Sequence, residues 1–213
     1  MIDRESIMSK YTEYNAGRIK ELFASALGDE GREKASLLIN RYSSIDEIYS
    51  AEYGELERLV GKRCATFIKV LASVASRRVT DSFKLGIPHT MTEISEYFSA
   101  LLLAQSVEVV YAMLLSAEDN VIDVRKISTG TVNASDVMIR KIVEPAVSLG
   151  ASKIILAHNH PGGSANPSKE DAMLAAEISE TLKYVGLKLE FLLTVAGSDS
   201  CVMSASDPTE TEK

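Results

Sequence analysis

The chain has 213 residues, of which 46% are hydrophobic and 25% charged, a composition typical of a soluble globular protein. This length allows one sizeable domain or two small ones. The formal net charge of −7 argues against strong nonspecific binding to nucleic acid, and no signal-peptide pattern or membrane-spanning apolar run is present in the sequence. Cys64 and Cys201 lack metal-type spacing, which suits a reducing compartment. We therefore expect a cytoplasmic protein with no membrane segment.

Residues 1–80 are predicted to form a helical domain, because no sustained alternation of apolar and polar residues occurs there. Gly28 to Gly31 are expected to interrupt the helical pattern. The predicted helices after this break cover residues 36–42, 44–49, 53–60 and 62–78. Basic side chains in the last of them indicate a solvated face of a helical bundle.

Residues 81–91 are predicted to be a linker, which contains Gly86, Pro88 and His89, with His89 as a surface loop residue. A second domain is expected over residues 92–205, followed by a loose tail at 206–213. After an opening helix at 92–103, strands are predicted at 107–115, 121–127, 153–157, 187–195 and 201–203. Helices are predicted at 135–149 and from Ser168 to Val185. The order ββαβαββ indicates a three-layer α/β fold with a mixed sheet.

Two of the chain's three histidines, His158 and His160, follow the apolar strand at 153–157. Residues i and i+2 of an extended chain point the same way, so both imidazoles are expected on one side of the strand end. Asp171 lies on the first turn of the next helix, after the chain has doubled back. Two imidazoles and a carboxylate are ligands that a catalytic zinc ion commonly takes, with water in the fourth place. The pattern therefore predicts a Zn²⁺ site.

Two simpler interpretations compete with the zinc site. Residues 167–171 are typical of an ordinary helix start, with Ser168 as N-cap and an acid three residues later. The His-x-His pair could also be a surface turn. Neither interpretation explains why the scarce histidines gather at a strand end that faces an acid.

The motif His158-Asn159-His160-Pro161, followed by Ser168 and Asp171, resembles the signature of JAMM/MPN metalloproteases. The residues at and around the motif resemble the bacterial RadC branch in particular. The resemblance covers residues 106–203. It implies the JAMM/MPN fold, which is related to that of cytidine deaminases. It also implies a zinc-dependent hydrolase for peptide or isopeptide bonds, with His158, His160 and Asp171 as ligands. Ser168 would help to stabilise the oxyanion.

The same resemblance implies that Glu108, at the start of the first strand of the second domain, is the catalytic acid/base. Hydrolysis needs a group that takes the proton of the attacking water. A charged residue in a strand that should be buried also needs a partner, which a metal-bound water could be. The alternative is an edge-strand glutamate that faces solvent.

The sequence departs from the RadC pattern in three ways. The helical domain occupies the position of a DNA-binding helix-hairpin-helix, but residues 59–64 keep only Gly61 of the paired glycines. Lys62 and Arg63 still flank a helix start where phosphate could bind. The Asp-His pair usual in the penultimate strand is absent at residues 189–192. Pro145 interrupts a predicted helix and is expected to kink or shorten it.

Three functions follow from these observations. The first is a JAMM-type zinc hydrolase that acts on a peptide or protein substrate. The second is a RadC-type DNA repair or recombination accessory protein, in which binding to DNA or protein is the main role. The third is a scaffold whose zinc is structural or vestigial.

Overall fold

The computed structural model describes residues 20–26, 29–42, 44–103, 105–130, 135–161, 163–197, 199–205 and 211–212, together with Gly17. The chain divides into two compact units, Met1–Leu71 and Ala72–Lys213. The division falls inside one long helix, nine residues before the predicted domain limit at residue 80. Among the described residues, no helix is long and apolar enough to cross a bilayer.

The described part of the first unit is helical. Its elements are α1 (residues 20–26), α2 (Asp29–Arg41), α3 (Ile45–Ser50), α4 (Tyr53–Val60) and the first half of α5 (Lys62–Thr80). Fully buried Leu38, Leu56 and Ile68 form the centre of its core. Gly61 joins α4 to α5 with φ of 82°, a left-handed conformation that favours glycine. Both helices begin where the sequence predicts.

The expected break at Gly28 to Gly31 is wrong for residues 29–31, and Gly28 lies outside the described residues. Helix α2 begins at Asp29 and includes Gly31, which is buried. A glycine inside a helix costs only about 1 kcal/mol relative to alanine, so burial on the helix face can outweigh the penalty.

The second unit contains one mixed sheet in the order β2-β1-β3-β4-β5-β6. Its strands are β1 (Val109–Leu115), β2 (Val121–Thr129), β3 (Lys153–Asn159), β4 (Lys188–Ala196), β5 (Asp199–Ser204) and β6 (Thr211–Glu212). Only the β3–β4 pair is parallel among these neighbours. The last strand, β6, lies in the segment that was predicted to be a loose tail.

Helices cover both faces of this sheet. Helices α7 (Ser135–Ser148) and α8 (Lys169–Lys183) bury their apolar sides, including Ile142 and Ile178, against one face. Helix α6 (Met91–Leu102) buries Phe98 against the other face. The predicted three-layer α/β architecture is confirmed. Helix α7 continues through Pro145 to Ser148, so the proline does not end it.

The segment before α6 is part of the second unit, and His89 lies in a loop there as predicted, but not at the surface. His89 was predicted to be a surface loop residue, but its side chain is 8% exposed. Its ring stacks on Phe83, with centroids 4.0 Å apart, and Nε2 lies 2.8 Å from the carbonyl oxygen of Lys84. An aromatic ring that stacks on another buries much of its surface, which the loop composition does not reveal.

Candidate metal centre

The two histidines of the motif lie at the C-terminal end of β3, His158 within the strand and His160 directly after it. His158 is 3% exposed and lies in register between Val110 of β1 and Thr194 of β4. His160 follows the last residue of the strand, and its N–H donates to the carbonyl of Val195 at 2.8 Å, which continues the β3–β4 ladder. The strand is thus two residues longer than predicted and includes His158 itself. The same-side placement expected for both imidazoles follows from this extended backbone.

Helix α8 presents Asp171 to these rings from its first turn. Ser168 is the N-cap, and its hydroxyl accepts a hydrogen bond from the Asp171 N–H at 3.0 Å. In return, Oδ2 of Asp171 accepts from the Ser168 N–H at 2.7 Å and from the Ser168 hydroxyl at 2.6 Å. This is a complete capping box. It holds the carboxylate in one orientation, towards the strand end.

The three side chains converge closely. The Nε2 atoms of His158 and His160 are 3.0 Å apart. Asp171 Oδ2 lies 3.3 Å from His160 Nε2, and Asp171 Oδ1 lies 3.6 Å from His158 Nε2. These residues could therefore hold a metal ion, as their predicted ligand role requires.

The loop after β3 orients the His160 ring. Nδ1 of His160 lies 2.8 Å from the carbonyl oxygen of Ser164. A carbonyl can only accept, so Nδ1 donates to it, and Nε2 faces the other two side chains. The loop passes so close that a Cβ at Gly163 would lie 3.2 Å from the His160 Cβ. Glycine at this position permits the close approach.

The electrostatics keep Asp171 ionised. Partial burial raises the pKa of this carboxyl, but the neighbouring His158 and the hydrogen bonds from Ser168 outweigh burial and lower the pKa well below its usual range. A carboxylate that stays ionised at all ordinary pH values can bind a cation without first losing a proton.

The distances fit a zinc ion. Zinc binds imidazole nitrogen at about 2.0–2.1 Å and carboxylate oxygen at about 2.0–2.2 Å, so neighbouring ligand atoms of a tetrahedral site are about 3.3–3.5 Å apart. The two Nε2 atoms are 3.0 Å apart, and the shortest carboxylate distances, 3.3 Å to His160 and 3.6 Å to His158, are close to this value but involve different oxygens of Asp171. With one ligand atom from each residue, all three atoms lie within 4.8 Å of one another. Two imidazoles and one carboxylate also form a typical donor set for catalytic zinc. The residues present therefore fit the ion that the sequence predicts.

Glu108 lies just before β1 and is half-buried. It is not one of the three residues whose ligand atoms converge. Its carbonyl accepts from the Gly130 N–H at 2.7 Å, so pairing with β2 extends to this residue. Val110, two positions later, is on the sheet face that α8 covers, and alternation along the chain places Glu108 on that same face. This is the face that carries His158.

The comparisons with known proteins agree with this geometry. The family model described as RadC-like JAB domain matches residues 88–207. This chain belongs to the RadC-like JAB domain family. A UPF0758 protein of Neisseria meningitidis serogroup C is 33% identical over 168 residues, which cover 75% of this chain and 73% of that protein. A UPF0758 protein of Fusobacterium nucleatum is 32% identical over 175 residues, 77% of this chain and 75% of that protein. A UPF0758 protein of Finegoldia magna is 30% identical over 188 residues, 85% of this chain and 83% of that protein.

Sequence reasoning about the RadC-like JAB domain missed two buried polar residues beside the histidines. Asn159 bonds to the chain before β1, and Thr194 lies next to His158 on β4. Thr194 is fully buried, and its Oγ1 has no hydrogen-bond partner within the described part of the chain. Asn159 stands between the two histidines and Thr194 between Leu193 and Val195, and neither position in the sequence gives a signal of these surroundings.

The variant Thr194→Val is expected to leave the free energy of unfolding of the apo RadC-like JAB domain unchanged or to raise it by about 1 kcal/mol. A buried hydroxyl without a partner loses its hydration on folding and gains nothing, and valine has nearly the same shape. Urea denaturation of the zinc-free protein measures the difference.

Thr90→Val is the matched control, because the hydroxyl of Thr90 caps α6 and accepts from the Glu93 N–H at 3.2 Å. Loss of such a cap should lower the free energy of unfolding by about 1 kcal/mol. A loss of that size in Thr194→Val as well would show that the Thr194 hydroxyl has a partner in solution, and the expectation would be wrong.

Proposed function

We propose that this protein is a zinc-dependent hydrolase of the JAMM type that cleaves a peptide or isopeptide bond. The observation that carries the proposal is the convergence of two imidazole nitrogens and one carboxylate at 3.0–3.6 Å from one another. Family membership supports it, because the matched region contains the whole cluster.

In this mechanism His158, His160 and Asp171 would hold the ion. When bound, zinc would supply a polarised water molecule and favour negative charge on the substrate carbonyl oxygen. Glu108 would take a proton as the water oxygen attacks the carbonyl carbon. It would then return that proton to the leaving nitrogen as the C–N bond breaks.

Ser168 would donate a hydrogen bond to the oxyanion of the transition state. Its hydroxyl has one proton, which it directs at Asp171 Oδ2 in this structure. The hydroxyl would therefore have to turn away from Asp171 as the oxyanion forms. The capping bond that it accepts from the Asp171 N–H is compatible with that rotation.

The proposal is tested by elemental analysis of the purified protein, combined with a cleavage screen over peptides and isopeptide-linked substrates. We expect about one zinc per chain, and hydrolysis that stops when a chelator removes the metal and returns when zinc is restored. A metal that affects stability but no cleavage would support the scaffold function. Crystals grown with zinc that leave the three residues without an ion would contradict the proposal.

A DNA-associated role is the second candidate, and one observation favours it. Lys62 and Arg63 are exposed at the first turn of α5, directly after Gly61. Backbone N–H groups at such a helix start, flanked by basic side chains, can bind phosphate. The net charge of −7 and the missing second glycine oppose a strong interaction.

We therefore expect only weak affinity for duplex DNA at physiological salt, because few phosphate contacts are available. Fluorescence anisotropy with a labelled duplex over a range of salt concentrations measures it. The double variant Lys62→Ala/Arg63→Ala is compared with Arg77→Ala/Arg78→Ala, which removes the same charge near the other end of α5. Tight binding that only the first variant loses would contradict the expectation and favour the repair role.

A further inference from the structure

Asn159, between the two histidines, ties β3 to the chain that leads into β1. Its side chain is buried, with the residue 5% exposed. Oδ1 accepts from the Val109 N–H at 2.8 Å, and Nδ2 donates to the carbonyls of Val107 at 3.1 Å and Gln105 at 3.5 Å. One amide thus bonds to three backbone groups some 50 residues away.

These side-chain hydrogen bonds take the place of backbone hydrogen bonds that β1 and β3 do not form beyond this point. Backbone pairing between β1 and β3 ends at Val110 opposite His158. Residues 105–108 lie beyond that point and are outside any strand. A side-chain amide offers a donor and an acceptor with the chemistry of a peptide group. Asn159 therefore makes the hydrogen bonds that a further backbone pair between the two strands would make.

Glu108 lies between the bonded groups. The carbonyl of Val107 and the N–H of Val109 flank it, and both bond to Asn159. On the other side, its own carbonyl accepts from Gly130 at the end of β2. The backbone of Glu108 is therefore held between β2 and the residue that separates the two histidines.

We infer that Asn159 is a positioning residue, which places the Glu108 carboxylate relative to His158, His160 and Asp171. This inference rests on the proposed function, in which Glu108 is the acid/base. A general base acts only within hydrogen-bond reach of the proton that it takes, about 2.6–3.2 Å between heavy atoms. Without the amide, the hydrogen bonds described for residues 107–109 all come from β2 and Gly130. A displacement of about 1 Å can reduce a rate ~10²-fold.

The test uses the full chain, with Asn159→Ala and the milder Asn159→Ser, whose short hydroxyl cannot bond to both Val107 and Val109. Asn120→Ala is the matched control. Asn120 lies at the other end of β1, where its side-chain amide donates to Ser116. The measurements are residue-level amide exchange by NMR, zinc affinity by chelator competition, and hydrolysis of the substrate found in the peptide and isopeptide screen.

We expect exchange at the Val109 amide to become about tenfold faster in both Asn159 variants and to stay unchanged in Asn120→Ala, since one net hydrogen bond is lost. Zinc affinity should not change, because the amide contacts none of the three ligands. Hydrolysis should fall ~10²-fold. Added to Glu108→Gln, Asn159→Ala should cause no further loss, because both changes disable the same group.

Wild-type exchange at Val109 in both variants would overturn the inference. So would a loss of hydrolysis that adds fully to that of Glu108→Gln, or a collapse of zinc affinity, which would mean that Asn159 acts through the histidines. If the wild-type protein cleaves nothing in the screen, the proposed function fails on its own. Exchange at Val109 then decides whether Asn159 holds the Glu108 segment.

Discussion

The variant Glu108→Gln is expected to reduce hydrolysis by at least ~10²-fold, the usual effect of a lost general base, while it retains the fold and the zinc. Glutamine has the size and shape of glutamate but cannot take a proton at neutral pH. Glu108 lies outside the group of three converging ligand residues, so its loss should not weaken metal binding. Steady-state rates and zinc content of the same preparations measure both effects.

Glu118→Gln is the matched control, since Glu118 belongs to the turn at the far end of the β1–β2 hairpin and bonds to Ser116 there. It should retain wild-type turnover. Loss of zinc from Glu108→Gln would make Glu108 a ligand instead of a base. Unchanged turnover in that variant would mean that another acid accepts the proton.

The variant His160→Ala is expected to purify without zinc. It removes one of three ligand atoms and also the ring that the Ser164 carbonyl orients. Even the loss of a residue that only supports a ligand typically weakens metal affinity about 10–100-fold, so the loss of a ligand should exceed that. Elemental analysis and competition with a chromophoric chelator measure the change.

His89→Ala serves as the control, because it removes the remaining histidine from a position stacked on Phe83. This variant should lose some stability through the missing ring contact, yet it should keep about one zinc per chain. Wild-type zinc affinity in His160→Ala would place the metal elsewhere on the chain.

Much of the fold follows from the sequence because its elements carry strong local signals. Helix α4 begins and ends where its apolar spacing and Gly61 predict. The order of strands and helices from β1 to β5 is also as predicted, because glycines and turn residues separate clear apolar runs, whereas β6 was not predicted. The start of α2 was missed since Gly31 looks like a helix breaker but is buried within the helix. The helix propensity of a single residue is weak evidence where burial of that residue decides whether the helix forms.

The convergence of His158, His160 and Asp171 was predictable because it depends on short-range geometry. Alternation along a strand and the first turn of the following helix are enough to bring the three together. The contacts of Asn159 and the buried hydroxyl of Thr194 depend instead on strand register between distant parts of the chain. A single sequence contains no direct signal of that register, so only the structure shows the contacts of Asn159 and the burial of the Thr194 hydroxyl.

The three converging residues are also close together along the chain, and this bears on the order of events during folding. From His158 to Asp171 the chain spans only 14 residues, whereas Glu108 precedes His158 by 50. Closing a short loop costs less conformational entropy than closing a long one, and contacts of low sequence separation tend to form sooner. We therefore expect that a chain with only β3 and the first turn of α8 in place can already capture an ion. The acid from the start of β1 would join later, so the assembly of the reactive arrangement would be a separate and slower event than metal uptake.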